Sequence, residues 1–535
     1  MTRRRLFVLY AAFVCLFGIV LCRVLWISTD ADYAVRAGAQ TTSTTSLPRE
    51  RGDFFDCNGI RLTGMQVGWY ALCIPGDSSY SELFPYVPYE QQNLLYENRN
   101  SSIPFLIEVS DDLNNGGIYT YPIRQRYLQV PIATHLIGYL DGDGHGVSGL
   151  ELAYDDILSS AADAQVVECA TTAQGGLLNG TSPDIAVETQ GSGSGVQLTL
   201  DAKIQRACEG IAQTSIQRGC ILVADVSDAS VLASVSMPEF DPENIQKSID
   251  ADDTSLINRA FSAFNAGSVF KVVLGAAAYE AGLDWFTHDC QGSIEVGDQT
   301  YRCALGKAHG TVNLRGALEQ SCNCYFVALG QALGADRILE MAEKFGFGRA
   351  TAVAGGLKTS AGTLPDRDSL ESIGQLAMFS FGQGELTVTP LQVTAMMLTV
   401  AGDGSYRQPT FVRGTVDSET LELLDAAVTQ QPQRVCSEDT ARVLRDMLQS
   451  VVKDGIGSDA APKEGTAGGK TGTAQTGQYD SQGEELLNYW FSGFYPAEEP
   501  RYVITVLQDA TLEPETSSAG IFARVADALC ALENG

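Results

Sequence analysis

Histidine is scarce in this chain of 535 residues: only His135, His145, His288 and His309 occur, and none follows His309. With no G-x-S-x-G string either, a histidine-based serine hydrolase is excluded. No C-x-x-C pair and no H-E-x-x-H string is present, and the histidines show no ligand spacing, which argues against a zinc site. Positive charge is also short. Thirty-five basic residues face 65 acidic ones, a formal charge of −30, so phosphate backbones and anionic lipid would be repelled and nucleic acid is not an expected partner. The carboxylates read more plainly as a solubilising surface. The thirteen cysteines are an odd number, so at least one is unpaired. Cys290 and Cys303 are spaced to bridge a hairpin or to remain two buried thiols. No internal repeat is visible.

What is present is a globular composition, 44% hydrophobic and 19% charged, on a chain long enough for two or three domains. Arg3, Arg4 and Arg5 precede an uncharged run from Leu6 to Cys22 that resumes after Arg23 through Ile27. That is about the 20 residues needed to span hydrocarbon. The basic cluster predicts a single-pass protein of the cytoplasmic membrane, N-terminus in and body exported. The competing reading is a signal peptide cleaved at Ala37-Gly38-Ala39. The expected organisation is a cytoplasmic tail over 1–5, an anchor over 6–27, an α+β accessory domain over 40–160, a flexible Ala/Thr/Gly/Ser linker over 161–195 and a catalytic domain over 196–535.

In the accessory region Gly68 to Ile74 reads as a strand closed by Pro75-Gly76. In the catalytic region Val196 to Leu200 alternates as a strand, and Asp201 caps a helix running to about Gln217. Cys220 to Asp225 and Ser230 to Met237 form a candidate antiparallel hairpin across Ser227-Asp228-Ala229. Helical patterns fill the middle. Trp490 to Tyr495 and Tyr502 to Asp509 read as two late strands before a closing helix, so one sheet is expected to be completed from both ends of the domain.

Ser268-Val269-Phe270-Lys271 sets a hydroxyl and an amine three residues apart, on one face of a helix. A serine hydroxyl is a weak nucleophile until a base removes its proton, and a lysine with a depressed pKa can be that base. A second S-x-x-K stands at Ser450 to Lys453, so the string alone decides nothing. Company decides it: Ser321-Cys322-Asn323 is the only S-x-N, and Lys470-Thr471-Gly472, followed by Thr473, is the only K-T-G. Ser450 falls out of that order. Lys358-Thr359-Ser360 imitates the third string without its glycine and reads as a solvated loop, since a substrate lying along a strand needs glycine for close approach. Cys322 and Cys324 flank Asn323 on opposite sides, and packing accounts for them.

These strings in this order resemble the penicillin-binding proteins, serine D,D-transpeptidases of the peptidoglycan. Asn258-Arg259-Ala260, Phe264-Asn265-Ala266-Gly267-Ser268, Phe345-Gly346-Phe347-Gly348, Ser380-Phe381-Gly382-Gln383-Gly384 and Val388-Thr389-Pro390-Leu391-Gln392 look like further landmarks of that family. Arg51-Gly52-Asp53-Phe54-Phe55, Arg126-Tyr127 and Gly146 to Glu151 resemble the pedestal of its monofunctional class B branch. Departures stand at Cys57, where arginine is usual, and Ala266, where proline is usual.

The resemblance implies an α+β multi-domain protein: a β-lactamase/transpeptidase-like catalytic domain, with an antiparallel sheet flanked by helices, on a pedestal with one transmembrane helix. It implies that Ser268 is acylated by D-Ala-D-Ala stem peptides and by β-lactams, with Lys271 as base and Ser321 as proton relay. Asn323 would hold Lys271 and the substrate amide, and Lys470 would add positive potential. Thr471, Gly472 and Thr473 would bind substrate, and the N–H groups of Ser268 and Thr473 would form the oxyanion hole. No metal or cofactor is implied. A membrane glycan polymerase and other cell-wall assembly proteins are the implied partners. The alternatives are a D,D-carboxypeptidase or β-lactamase, and a penicillin-binding scaffold without turnover.

Overall fold

The computed structural model describes residues 3–29, 42–74, 79–101, 103–114, 118–172, 176–178, 180–251 and 254–534. The chain forms two compact units, and the division is not the simple succession expected: one gathers Met1–Arg51, Gly64–Arg126 and Ser160–Ser192, the other Gly52–Thr63, Tyr127–Ser159 and Gly193–Gly535.

In the first unit, Arg3–Thr29 is one helix of 27 residues, long and apolar enough to cross a membrane. The candidate cleavage site Ala37-Gly38-Ala39 and the turn at Pro75-Gly76 lie outside the described residues. The strand Gln66–Cys73 is central in an antiparallel sheet between Phe105–Val109 and Tyr119–Gln125. Its alternation serves two cores, because Ala71 and Cys73 pack with Leu83, Leu95 and Ile107, while Leu72 packs with Leu47, Tyr121, Ile123 and Val167.

Strands stand where a linker over 161–195 was expected. Ala164–Ala170 pairs with both Thr42–Ser46 and Asp184–Thr189. Small residues conceal the buried trio Val166, Val167 and Cys169, which supplies the hydrophobic face. Nor does the glycine run begin as a loose tether. Gly191 donates to Asp163 at 2.7 Å, and a Cβ there would lie 2.2 Å from the Ala161 carbonyl oxygen.

The second unit holds a five-stranded antiparallel sheet in the order Val231–Met237, Gly219–Asp225, Tyr502–Thr511, Glu485–Tyr495, Gly468–Tyr479. The early hairpin and the late strands thus meet as the patterning predicts, and Gly468–Tyr479 forms an edge. The helix Ala202–Ser215 starts on Asp201, whose carboxylate accepts from Lys203 and Ile204. It packs through Ile204, Cys208 and Ala212 in one cluster with Ile521, Phe522 and Val525 of the closing helix Ser518–Asn534. Ser194–Leu198 joins a separate four-stranded sheet with Phe54–Phe55, Val412–Asp417 and Leu423–Ala426.

On the other face, Lys271–Glu280 is a helix buried from Lys271 to Ala278. Around it lie Asn323–Leu333, Ala335–Lys344 and Glu438–Lys453, with Pro390–Ala401 packed on the sheet. Lys358-Thr359-Ser360 is not a solvated loop: Leu357–Lys358 pairs with Ala352–Ala354, and Thr359 is buried with its hydroxyl accepting from the Thr351 N–H at 3.0 Å.

Candidate active site

Ser268 lies half-buried in a 3-10 turn, Gly267–Phe270, which runs directly into the helix beginning at Lys271. Three backbones crowd at this turn. Gly267 has φ +58°, a region L-residues avoid, and a Cβ on it would sit 2.5 Å from the Thr473 carbonyl oxygen. Its N–H donates to the Gly382 carbonyl at 2.8 Å. Asn265 stitches the turn to the sheet: its amide donates to the Gln475 carbonyl at 2.6 Å and its own carbonyl accepts from the Trp490 indole at 3.0 Å. Asn265 and Gly382 have no assigned role in the sequence reading. Their signal was a place inside two landmark strings, Phe264 to Ser268 and Ser380 to Gly384, which do not indicate what they touch.

The Lys271 side chain is fully buried. Its ammonium donates to the Ser321 carbonyl at 2.8 Å, the Ser321 hydroxyl at 3.1 Å and Asn323 Oδ1 at 2.6 Å, and it lies 5.4 Å from the Phe326 ring centre. Burial pulls its pKa down to about 7. Lys470 is equally buried, and burial, then repulsion from Lys271, holds its pKa well below the usual lysine range. Its ammonium donates to the Ser321 hydroxyl at 3.1 Å, the Thr471 carbonyl at 3.0 Å and the Thr471 hydroxyl at 3.2 Å. One serine hydroxyl is therefore shared by two lysines that are both easily deprotonated.

Ser321 is held with φ +49°, a costly conformation for a residue with a Cβ. Asn323 opens the helix Asn323–Leu333, and its amide nitrogen donates to the Arg302 carbonyl at 2.9 Å, which orients Oδ1 toward Lys271. Lys470, Thr471, Gly472 and Thr473 lie on the edge strand, with Thr471 half-buried and Thr473 exposed. Gly472 was expected to make room for substrate. Its bare face also meets the turn that carries Ser268, where a Cβ would lie 3.0 Å from Val269 Cγ1 and 3.2 Å from the Val269 nitrogen.

The cysteines beside Asn323 also differ from expectation. Cys322 caps the helix from a non-helical residue and Cys324 lies in its first turn, so both sulfurs reach Cys303, at 3.8 and 3.4 Å. Cys290 and Cys303 are free thiols 3.6 Å apart.

A half-buried serine at a helix start, a buried low-pKa lysine one turn on, and a second serine between two lysines define an active-site-serine acyl-transfer fold. The comparisons with known proteins name the family. Residues 219–528 match the penicillin binding protein transpeptidase domain, and the chain belongs to that family. It is 27% identical to stage V sporulation protein D of Bacillus subtilis, over 93% of this chain and 81% of that one. It is 33% identical to penicillin-binding protein PbpB of Mycolicibacterium smegmatis, covering 77% of this chain and 66% of that one. The crystal structure of penicillin binding protein 3 of Mycobacterium tuberculosis complexed with aztreonam superposes with a TM-score of 0.66 at 27% identity, over 91% of this chain and 97% of that one.

Proposed function

We propose that this chain is a class B peptidoglycan D,D-transpeptidase in which Ser268 is the nucleophile and Lys271 its base. The observation that carries the reading is Lys271: a fully buried amine with a pKa of about 7, one helical turn from Ser268 and bonded to both polar residues of the S-x-N string. A base poised near the working pH combines a useful neutral fraction with enough proton affinity.

In the proposed cycle the Ser268 hydroxyl attacks the penultimate D-alanyl carbonyl of a stem peptide while the neutral Lys271 amine takes its proton. The resulting oxyanion is held by the N–H groups of Ser268 and Thr473, whose backbones are pressed together at Gly267. The C–N bond then breaks. Ser321 passes a proton from the lysines to the departing D-alanine, a relay supported by its 3.1 Å bonds to both. Thr471 and Thr473 receive the terminal carboxylate, and Lys470 supplies positive potential in its protonated form, which a bound carboxylate favours. An amine of a neighbouring stem attacks the ester, yields its proton to Lys271 and releases Ser268 as the alcohol.

β-Lactams would follow the first half of this path and stop at the acyl-enzyme. The Arg3 to Arg5 cluster supports an N-terminus-in orientation with the catalytic unit outside the cytoplasmic membrane. A membrane glycan polymerase is the natural supplier of strands in that setting.

The test is incubation of the full-length protein with stem-pentapeptide strands and a labelled acceptor amine. Transpeptidation predicts cross-linked product with equimolar D-alanine. Shortened peptides alone would indicate a carboxypeptidase, and penicillin labelling without any turnover would indicate a scaffold.

A further inference from the structure

Behind Ser321 and Asn323 the fold gathers sulfur from distant parts of the chain. Cys290 ends the strand Thr287–Cys290, Cys303 follows the strand Gln299–Arg302, His309 precedes the strand Gly310–Asn313, and Cys322 caps the helix Asn323–Leu333. Cys290 Sγ lies 3.6 Å from Cys303 Sγ and 3.5 Å from His309 Nδ1, and Cys303 Sγ lies 3.8 Å from Cys322 Sγ. All four donor atoms fall within 4.8 Å of one another, with the three cysteines buried and His309 half-buried.

These three distances match three edges of a tetrahedral metal site, and the whole donor set spans no more than 4.8 Å. Zinc–sulfur bonds of about 2.3 Å and a zinc–nitrogen bond of about 2.0 Å place sulfurs roughly 3.7 Å apart and sulfur from nitrogen roughly 3.5 Å apart. Two of the sulfurs also accept backbone N–H groups, Cys290 from Gly292 and Cys322 from Tyr325, each at 3.4 Å. Outer donors of this kind orient a ligating sulfur and favour its anionic form. Simple thiol packing requires neither the edge lengths nor the imidazole nitrogen turned inward.

We propose that Cys290, Cys303, Cys322 and His309 bind one zinc(II) ion that fixes the S-x-N segment. Binding releases three thiol protons to solvent and leaves three thiolates and a neutral imidazole on the metal. Four protein ligands close the coordination sphere, so the ion is structural and takes no part in acyl transfer. Its leverage comes from connectivity. Cys322 lies between Ser321 and Asn323, and Cys303 follows Arg302, whose carbonyl orients the Asn323 amide at 2.9 Å. The ion thus ties together both backbones joined by that hydrogen bond, and it braces Ser321 in its left-handed conformation. The absence of a C-x-x-C pair conceals the site, because its ligands come from four separate segments.

The test uses full-length protein extracted from membranes anaerobically, without added thiol or chelator. Elemental analysis is expected to find about one zinc per chain. Cobalt(II) titration of the metal-stripped wild type is expected to give a thiolate-to-cobalt charge-transfer band and the visible spectrum of a tetrahedral site, both saturating at about one equivalent. Cys290→Ser and Cys303→Ser should each weaken metal binding at least about tenfold, while Cys208→Ser, a buried thiol outside the cluster, leaves it unchanged. Wild-type protein that binds neither zinc nor cobalt would overturn the proposal. So would a disulfide between any two of the cysteines in the fresh extract, or equal cobalt affinity in Cys303→Ser. The cobalt spectrum of the wild type stands even if a variant fails to fold. Penicillin labelling is read separately, so its loss from zinc-bound protein would count against the acyl-transfer reading and not against the metal.

Discussion

Ser268 to Lys271 and Ser450 to Lys453 repeat one spacing of hydroxyl and amine on helical backbone, in opposite electrostatic settings. Lys271 opens a buried helix, is itself fully buried, and faces Ser321 and Asn323. Lys453 ends a helix, in water. The Ser450 hydroxyl is already committed, donating to the Met447 carbonyl at 2.7 Å and accepting from Arg315 at 3.3 Å. Spacing supplies the pair in both places. Desolvation fits only Lys271 to the proposed role of base.

The largest effect expected from breaking this contrast is on acylation by fluorescent penicillin. Ser268→Ala should slow labelling at least roughly 10³-fold, as loss of a nucleophile does elsewhere, whereas Ser450→Ala should stay within about twofold of wild type because its hydroxyl binds only Met447 and Arg315 and touches none of Lys271, Ser321 or Lys470. Next comes the base. Lys271→Met should cost about 10² to 10⁴ in acylation rate, and Lys453→Met should leave stopped-flow traces unchanged.

Asn323→Ala removes a 2.6 Å bond to the lysine. A hydrogen bond to a charged group is worth about 1.5–3 kcal/mol, so the expected loss in acylation rate is about tenfold to a hundredfold. The smallest expected effect is a matter of pH. The proposed base Lys271 acts only when neutral, and burial pulls its pKa down to about 7. Acylation should therefore fall about tenfold per pH unit below that value and level off above it. A solvated lysine base would place the rise near pH ~10.4. A rate profile taken from about pH 5.5 to 9 separates the two cases, with the inflection reporting the coupled lysine pair.

The same contrast explains what the sequence made legible. Chemistry that needs residue types at fixed local spacing, such as Ser268 with Lys271 or Lys470 with Thr471, leaves a readable string, and the order of three strings separated Ser268 from Ser450. The early hairpin and the late strands were readable from alternation. Features fixed by distant segments were not. Gly472 reads as room for substrate, and only the fold shows Val269 against it as well, while the 161–195 segment reads as linker because alanine, threonine and glycine hide Val166, Val167 and Cys169. The sulfur cluster was least legible, since no two of Cys290, Cys303, His309 and Cys322 are near enough in the chain to form a familiar metal string.

The most direct test of the central claim is mass-spectrometric mapping of the protein after brief exposure to a β-lactam. A single acyl adduct is expected on the peptide carrying Ser268, absent from Ser268→Ala and present at full yield in Ser450→Ala. An adduct on Ser321 or Ser450, or one persisting in Ser268→Ala, would contradict it.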